Sequence, residues 1–219
     1  MARDLKLTDT QKEQLKLLKK TSVIRSLYAI FLNYAIILSF SALSIFVFNS
    51  FGPSIISYLV YIITLFIIAA RIRGQENLLH DAQHFNLSRN TFWNESIAWF
   101  LLALPLGRNV KTERYDHVKL HHTNFWSQED PDKLRYKEMG LDKLPADSYL
   151  TLLKIVFNAF PSYISGTVRA FFIPLNESKA LFFGRLSFWI LTGSVFFQLG
   201  QLNNLFSYWF TAFFLYFLY

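Results

Sequence analysis

LYAIFLNYAIILSFSALSIFVF (27–48), NSFGPS (49–54) and IISYLVYIITLFIIAA (55–70) decide the fold class. The first run has 22 residues and no charge, enough to cross a hydrocarbon layer of about 30 Å at 1.5 Å per residue. The second has 16 residues, and Gly52–Ser54 can extend it before Arg71 and Arg73 end it. Gly52 and Pro53 are turn residues. The pair reads as a helical hairpin inside a membrane.

Outward from the hairpin, the pattern weakens and then returns. Ser96–Gly107 (SIAWFLLALPLG) is too short to span and carries Pro105, so it reads as interfacial or buried. Leu152–Pro174 is interrupted by Lys154, Pro161, Gly166 and Arg169, and reads as one or two interfacial helices, with a membrane span as the alternative. Leu181–Gln198 is a third span, with Arg185 near its start expected to snorkel. GQLNN (200–204) turns the chain into LFSYWFTAFFLYFLY (205–219), which reaches the last residue without a charged stop. It reads as a fourth span cut partway. The expected fold is therefore all-α: an integral membrane bundle of about four transmembrane helices in two hairpins, with a cytoplasmic helical cap. One domain covers 1–219: an N-terminal helix in 1–26, a hairpin over 27–70, a polar region over 71–180 and a second, incomplete hairpin over 181–219.

Composition agrees. The chain is 53% hydrophobic and only 17% charged, against about 25% charged in soluble domains, so there is ample apolar surface and disorder is excluded. Cys is absent, which excludes disulfides, thiolate metal sites and cysteine nucleophiles. The net charge of +7 is an orientation signal. Seven Lys/Arg precede the first run, fourteen lie between Arg71 and Lys179, and none lies in 49–54 or 200–204. Short basic loops stay cytoplasmic, so the N-terminus and the central region are expected there. Twelve acidic residues nearly balance the central bases, leaving no one-signed stripe for nucleic acid. A charged arm before the first run argues against a cleaved signal peptide. Within that arm, LTDTQKEQLKLLKK (7–20) reads as a capped helix, with Thr10 and Glu13 at capping-box spacing.

All five histidines fall in two groups, His80-x3-His84 and His117-x3-His121-His122. Spacing i, i+4 puts two imidazoles on one helical face, close enough to share a metal. In an α-helix His122 would point about 100° away from His121. It would reach a second metal or another side of the first. Imidazole suits iron, zinc, copper or nickel. Glu76 and Glu113 each stand four residues before a histidine, and Asp81 and Asp116 stand beside one. These four acids are candidates to hold the metal ligands or to coordinate directly, since a metal-bound histidine usually donates its second N–H to such a group. The alternative is ion pairing along the helix face with Arg73, Arg114 or Lys119. Arg114 and Asn124 are further candidates to support the second group. Glu129-Asp130-Pro131-Asp132 reads as a helix-ending loop that can also position it.

Two spans, HDAQH (80–84), a short apolar segment, YDHVKLHHTN (115–124) and EDPD (129–132) together resemble the membrane fatty acid desaturase superfamily. That superfamily includes acyl-lipid and sphingolipid desaturases, related hydroxylases and carotenoid ketolases. The resemblance implies two iron ions on the cytoplasmic face, with O2 as co-substrate and electrons from a separate ferredoxin- or cytochrome-type donor. His80, His84, His117, His121 and His122 match its first and second histidine boxes. A third box, H-x-x-H-H after the fourth span, has no counterpart among these five histidines, so the chain reads as an enzyme lacking its last box. The expected function is an O2-dependent oxidoreductase acting on a lipid chain, most simply a fatty acid desaturase. Alternatives are a carotenoid ketolase or lipid hydroxylase with an isoprenoid or lipid substrate, or a truncated, non-catalytic membrane protein. The expected setting is a bacterial inner membrane rather than endoplasmic reticulum, with the N-terminus cytoplasmic.

Overall fold

The computed structural model describes residues 8–18, 21–138, 148–172 and 178–216. Every regular element among them is helical: α1 Asp9–Leu18, α2 Val23–Phe51, α3 Ile55–Gln83, α4 Thr91–Ile97, π1 Ala98–Ala103, α5 Leu104–Leu106, α6 Val110–Arg114, π2 Tyr115–His121, α7 Pro131–Glu138, α8 Tyr149–Phe172, α9 Lys179–Gln198, α10 Leu202–Asn204, π3 Leu205–Phe210 and α11 Thr211–Leu215. The three π segments have i→i+5 bonding and wider turns than an α-helix.

The hairpin forms as its sequence predicts. Ser22 caps α2 and Ser54 caps α3 through their side-chain oxygens, meeting backbone donors that a helix start leaves orphaned. Gly52 between them sits at φ +60°, where a side chain would be strained. Three helices, α2, α3 and α9, are long and apolar enough to cross a membrane. Their outward faces carry Phe31, Leu38, Ile62, Ile63, Phe183 and Ile190 exposed. In water such a surface would be a liability; in lipid it is matched.

α2 and α3 share the largest packed interface. Ile30, Ile37, Leu65, Ile68, Ala69 and Ile72 form its apolar centre. Polar side chains there find local partners. Asn33 donates to the Ala29 carbonyl at 3.1 Å, and Gln75 donates to the Ile30 carbonyl at 3.3 Å. Gly74 allows the close approach, because a Cβ there would stand 3.1 Å from Asn33 Oδ1. At 29 residues, α3 is about 43 Å long, more than a hydrocarbon core needs. The apolar run stops at Ala70, but the helix continues to Gln83 and carries the first histidines to the edge of the apolar zone.

The segment 202–216 runs parallel to α3, from the hairpin tip toward the histidine end. Tyr61 Oη donates to the Ser207 carbonyl at 2.8 Å near the hairpin tip, and Tyr216 Oη donates to Glu76 Oε1 at 3.4 Å near the histidine end. Tyr208 is tied to Ser44 Oγ at 2.9 Å. This last apolar run is therefore a full partner of the hairpin.

Several expectations are refined. The capping box of α1 lies two residues earlier than expected: Thr8 N–H donates to Gln11 Oε1 at 2.9 Å, and Gln11 N–H donates to Thr8 Oγ1 at 3.3 Å. The region around Pro161 forms one helix, α8, with the proline inside it. Arg185 does not snorkel. It is 4% exposed and donates to the Arg108 carbonyl at 3.1 Å, because α9 packs on α5, two residues before that carbonyl. The segment Ser96–Gly107 is buried rather than interfacial along Ala98, Leu102, Ala103 and Leu106. The end of the last run, 217–219, lies outside the described residues.

Candidate metal centre

His80 projects from α3, His84 closes its C-terminus, and the second group sits on π2 and its first following residue. The two elements bring all five imidazoles together. His80 Nε2 and His117 Nε2 are 2.7 Å apart, and His122 Nε2 and His117 Nε2 are 3.1 Å apart. The ring of His84 lies 5.2 Å from that of His117 and 5.1 Å from that of His122. One donor atom from each of His80, His84 and His117 falls within 4.8 Å of the others, and the same holds for His117, His121 and Asp132.

The winding of π2 explains the placement of His122. Its backbone N–H bonds to the His117 carbonyl at 3.1 Å, an i→i+5 contact. In so wide a turn, positions four and five residues on straddle the starting position. His121 and His122 thus flank His117, whose ring lies 5.3 Å from one and 4.6 Å from the other. The α-helical expectation, with His122 turned away, gives way to a doubled histidine facing the same centre.

The support of His121 comes from Asp130. Its carboxylate is fully buried and stands 2.9 Å from His121 Nδ1. It also accepts the Trp126 N–H at 2.7 Å and the Asp132 N–H at 2.9 Å. Burial alone would raise this acid, but the His121 contact and the two backbone donors override it and hold it at about 2. With Nδ1 engaged, His121 presents Nε2 as the free donor, the arrangement found where a carboxylate backs a metal-bound imidazole. Pro131 follows at the first turn of α7, so the loop EDPD both starts a helix and holds a histidine. Trp126, which the carboxylate anchors, has φ +59°, a costly conformation for a bulky residue.

Glu76 and Glu113 turn elsewhere. Glu76 bonds to Arg108 and, at 2.7 Å, to Arg73. Glu113 accepts from Gln83 Nε2 at 3.0 Å and lies 3.7 Å from Arg108 Nε. Burial raises the Glu113 carboxyl, with Arg108 opposing. Burial works against the Arg108 cation, yet Glu76 keeps its pKa raised. These groups form a charged floor beside the imidazoles. Asp81 and Asp116 side chains make no hydrogen bond or ion pair among the described residues. Arg114 braces the end of α3, donating to the carbonyls of Gln83 at 2.9 Å and Ala82 at 3.0 Å and pairing with Glu95 at 2.6 Å. A cation there suits the negative end of the helix. Its guanidinium also lies 4.2 Å over the ring of Phe85, which has φ +55°. Asn94, buried, donates to the same Ala82 carbonyl at 2.9 Å. Sequence alone does not point to Asn94, since nothing in its spacing links it to His84.

Five neutral donors converging from two elements fit a first-row transition metal such as iron. Burial first, then charge on His80, His122, His84 and His121, push His117 down to about 4. His84 is lowered too, by burial and then by His80. Free histidine titrates near 6.5, so between about 6.5 and 4 the folded chain binds fewer protons than the unfolded chain. Stability then falls as pH drops through that window. Metal-free protein in detergent should melt at progressively lower temperature from neutral pH toward about pH 4, and His117→Asn should flatten the slope. A wild-type melting temperature constant across the window would refute this.

The fatty acid desaturase family model matches residues 56–219. Dihydrorhizobitoxine desaturase from Bradyrhizobium elkanii is 33% identical over 96 residues, which is 43% of this chain and 27% of that protein. The match thus spans about a quarter of that relative's length. No solved structure matches significantly.

Proposed function

This chain belongs to the fatty acid desaturase family, and from that membership we propose that it is an iron-dependent, O2-using membrane oxidoreductase of lipid chains, most simply an acyl-lipid desaturase. The observation that carries the proposal is the convergence of His80, His84 and His117 donor atoms within 4.8 Å. Removing hydrogen from an unactivated methylene requires an oxidant that no side chain supplies; two irons with O2 and two external electrons supply it.

The chain's own residues would do the rest. His80, His84, His117, His121 and His122 hold the metal, and Asp130 fixes His121 with its proton on Nδ1. The Glu76–Arg108 pair and Arg114 keep α3 and the π2 segment in register, so that the two histidine groups stay opposed. The basic N-terminal arm and central region favour an orientation with the histidine end in the cytoplasm, in a bacterial inner membrane. Lys111 and Lys119, both exposed, offer a basic surface to an acidic electron donor.

The test is iron content and product together. The complete gene product, purified from membranes and loaded with Fe(II) without oxygen, should retain iron through gel filtration. Cells expressing it should gain an unsaturated acyl chain. Less than one iron per chain would overturn the metal reading. A hydroxylated lipid or an oxidised carotenoid as the new product would replace the desaturase by a hydroxylase or ketolase of the same family.

A further inference from the structure

On the side of the hairpin away from the histidines, α2 and α3 enclose a groove of about 440 Å³ lined by Ile36, Phe40, Ile63, Ile67, Ala70 and Arg71. Arg71 stands at its head and is half-buried. Its guanidinium has no ion pair or hydrogen bond among the described residues, whereas Arg73, Arg108 and Arg114 all meet carboxylates.

Depth makes this unusual. Gly74 packs on Asn33, and the apolar run of α2 begins six residues above that level, at Leu27. At 1.5 Å per residue the Arg71 backbone lies roughly 13 Å inside the start of the apolar zone. A cation so placed needs a partner or must reach back to the surface. The long Arg71 side chain reaches back toward the headgroup layer, where a lipid phosphate is the nearest anion, and the groove below is lined for a hydrocarbon chain.

We propose that this groove binds an anionic phospholipid of the histidine-side leaflet, its acyl chain along Ile67 and Ile63 and its phosphate on Arg71. This lipid is not a substrate. His80 follows Arg71 by nine residues, two and a half turns, so the two side chains leave opposite faces of α3, and the groove runs from Arg71 away from the histidines. An anionic headgroup is favoured because no carboxylate pairs with Arg71 to hold the ammonium of a zwitterionic one. The site rests only on the chain being embedded in a bilayer and is independent of the enzymatic reading.

Native mass spectrometry of the full chain, released from bilayers of phosphatidylglycerol and phosphatidylcholine, tests it. Wild-type protein should retain phosphatidylglycerol in preference, and added phosphatidylglycerol should raise its melting temperature. Arg71→Gln should weaken retention about tenfold, the effect of one charge-assisted hydrogen bond. Ile67→Trp, which fills the groove and keeps the cation, should weaken it as well. Arg71→Lys, which keeps the charge, and Arg89→Gln, which removes an exposed charge elsewhere, should both retain the lipid. If Arg71→Gln does not fold, the contrast between Ile67→Trp and Arg71→Lys decides. Equal retention by wild type and Ile67→Trp, or no preference for phosphatidylglycerol over phosphatidylcholine, would overturn the site.

Discussion

Replacing His117 with alanine should leave a folded protein that retains no iron and makes no product. His117 is the hub of the cluster. Its Nε2 lies 2.7 Å from His80 Nε2 and 3.1 Å from His122 Nε2, and it belongs to both groups of donors able to surround an ion. Losing only the hydrogen-bond partner of a metal ligand costs about 10–100-fold in affinity. Losing the shared ligand itself should therefore cost more than about 100-fold. The fold should survive, because His117 lies outside the apolar core and π2 is held by α6, α7 and their contacts. Metal content after gel filtration, helical content by circular dichroism and the lipid profile of expressing cells check the three parts. An iron-loaded, active His117→Ala protein would remove the histidine cluster from the mechanism.

Two replacements of Asp130 separate its roles. In Asp130→Ala the part-buried Trp126 and Asp132 N–H groups lose their acceptor, at about 0.5–1.5 kcal/mol for each bond lost. The loop should loosen and the melting temperature should drop. Asp130→Asn is subtler. With its oxygen in the place of Oδ2 the amide still accepts from the Trp126 N–H. Its NH2 takes the place of Oδ1, facing both His121 Nδ1 and the Asp132 N–H, so one of the two loop bonds is kept. If its NH2 meets His121 Nδ1, however, that nitrogen must become an acceptor, the ring proton moves to Nε2, and the metal-facing lone pair is lost. The expected result is a melting temperature between those of wild type and Asp130→Ala, with metal affinity reduced about 10–100-fold. Equal iron affinity in Asp130→Asn and wild type would show that the carboxylate serves the loop alone.

The hairpin was legible because an uncharged run of this length has few alternatives, and the convergence of the two histidine groups because all five histidines of the chain fall in them. What escaped the sequence depends on partners distant along the chain. A glutamate four residues before a histidine reads equally well as its support or as half of an ion pair. Arg108, 32 residues from Glu76, decides for the ion pair. Arg185 looked like a snorkelling cation because its acceptor, the Arg108 carbonyl, is 77 residues away. Asp130 was visible only as part of a loop, since the same residue that caps a helix also meets His121. The winding of π2 is the hardest case. An α and a π turn differ by one position in each hydrogen bond, and the residues YDHVKLH favour neither strongly.

That winding has a consequence for how the gene tolerates change in length. A turn closed by i→i+5 bonds holds one residue more than an α turn, so deleting one codon within 115–121 allows the backbone to relax into ordinary α-helix. Surrounding packing would notice little, since π2 has no buried residue. A deletion at 115 or 116 keeps the pair four and five residues after His117 but in an α turn, where His122 points about 140° from His117 and leaves the centre. A deletion within 118–120 puts the pair three and four residues on, where an α turn flanks His117 again. Winding and spacing are therefore matched to each other, and substitutions in the three-residue spacer should be borne far more easily than a deletion that changes the winding and leaves the spacing as it is.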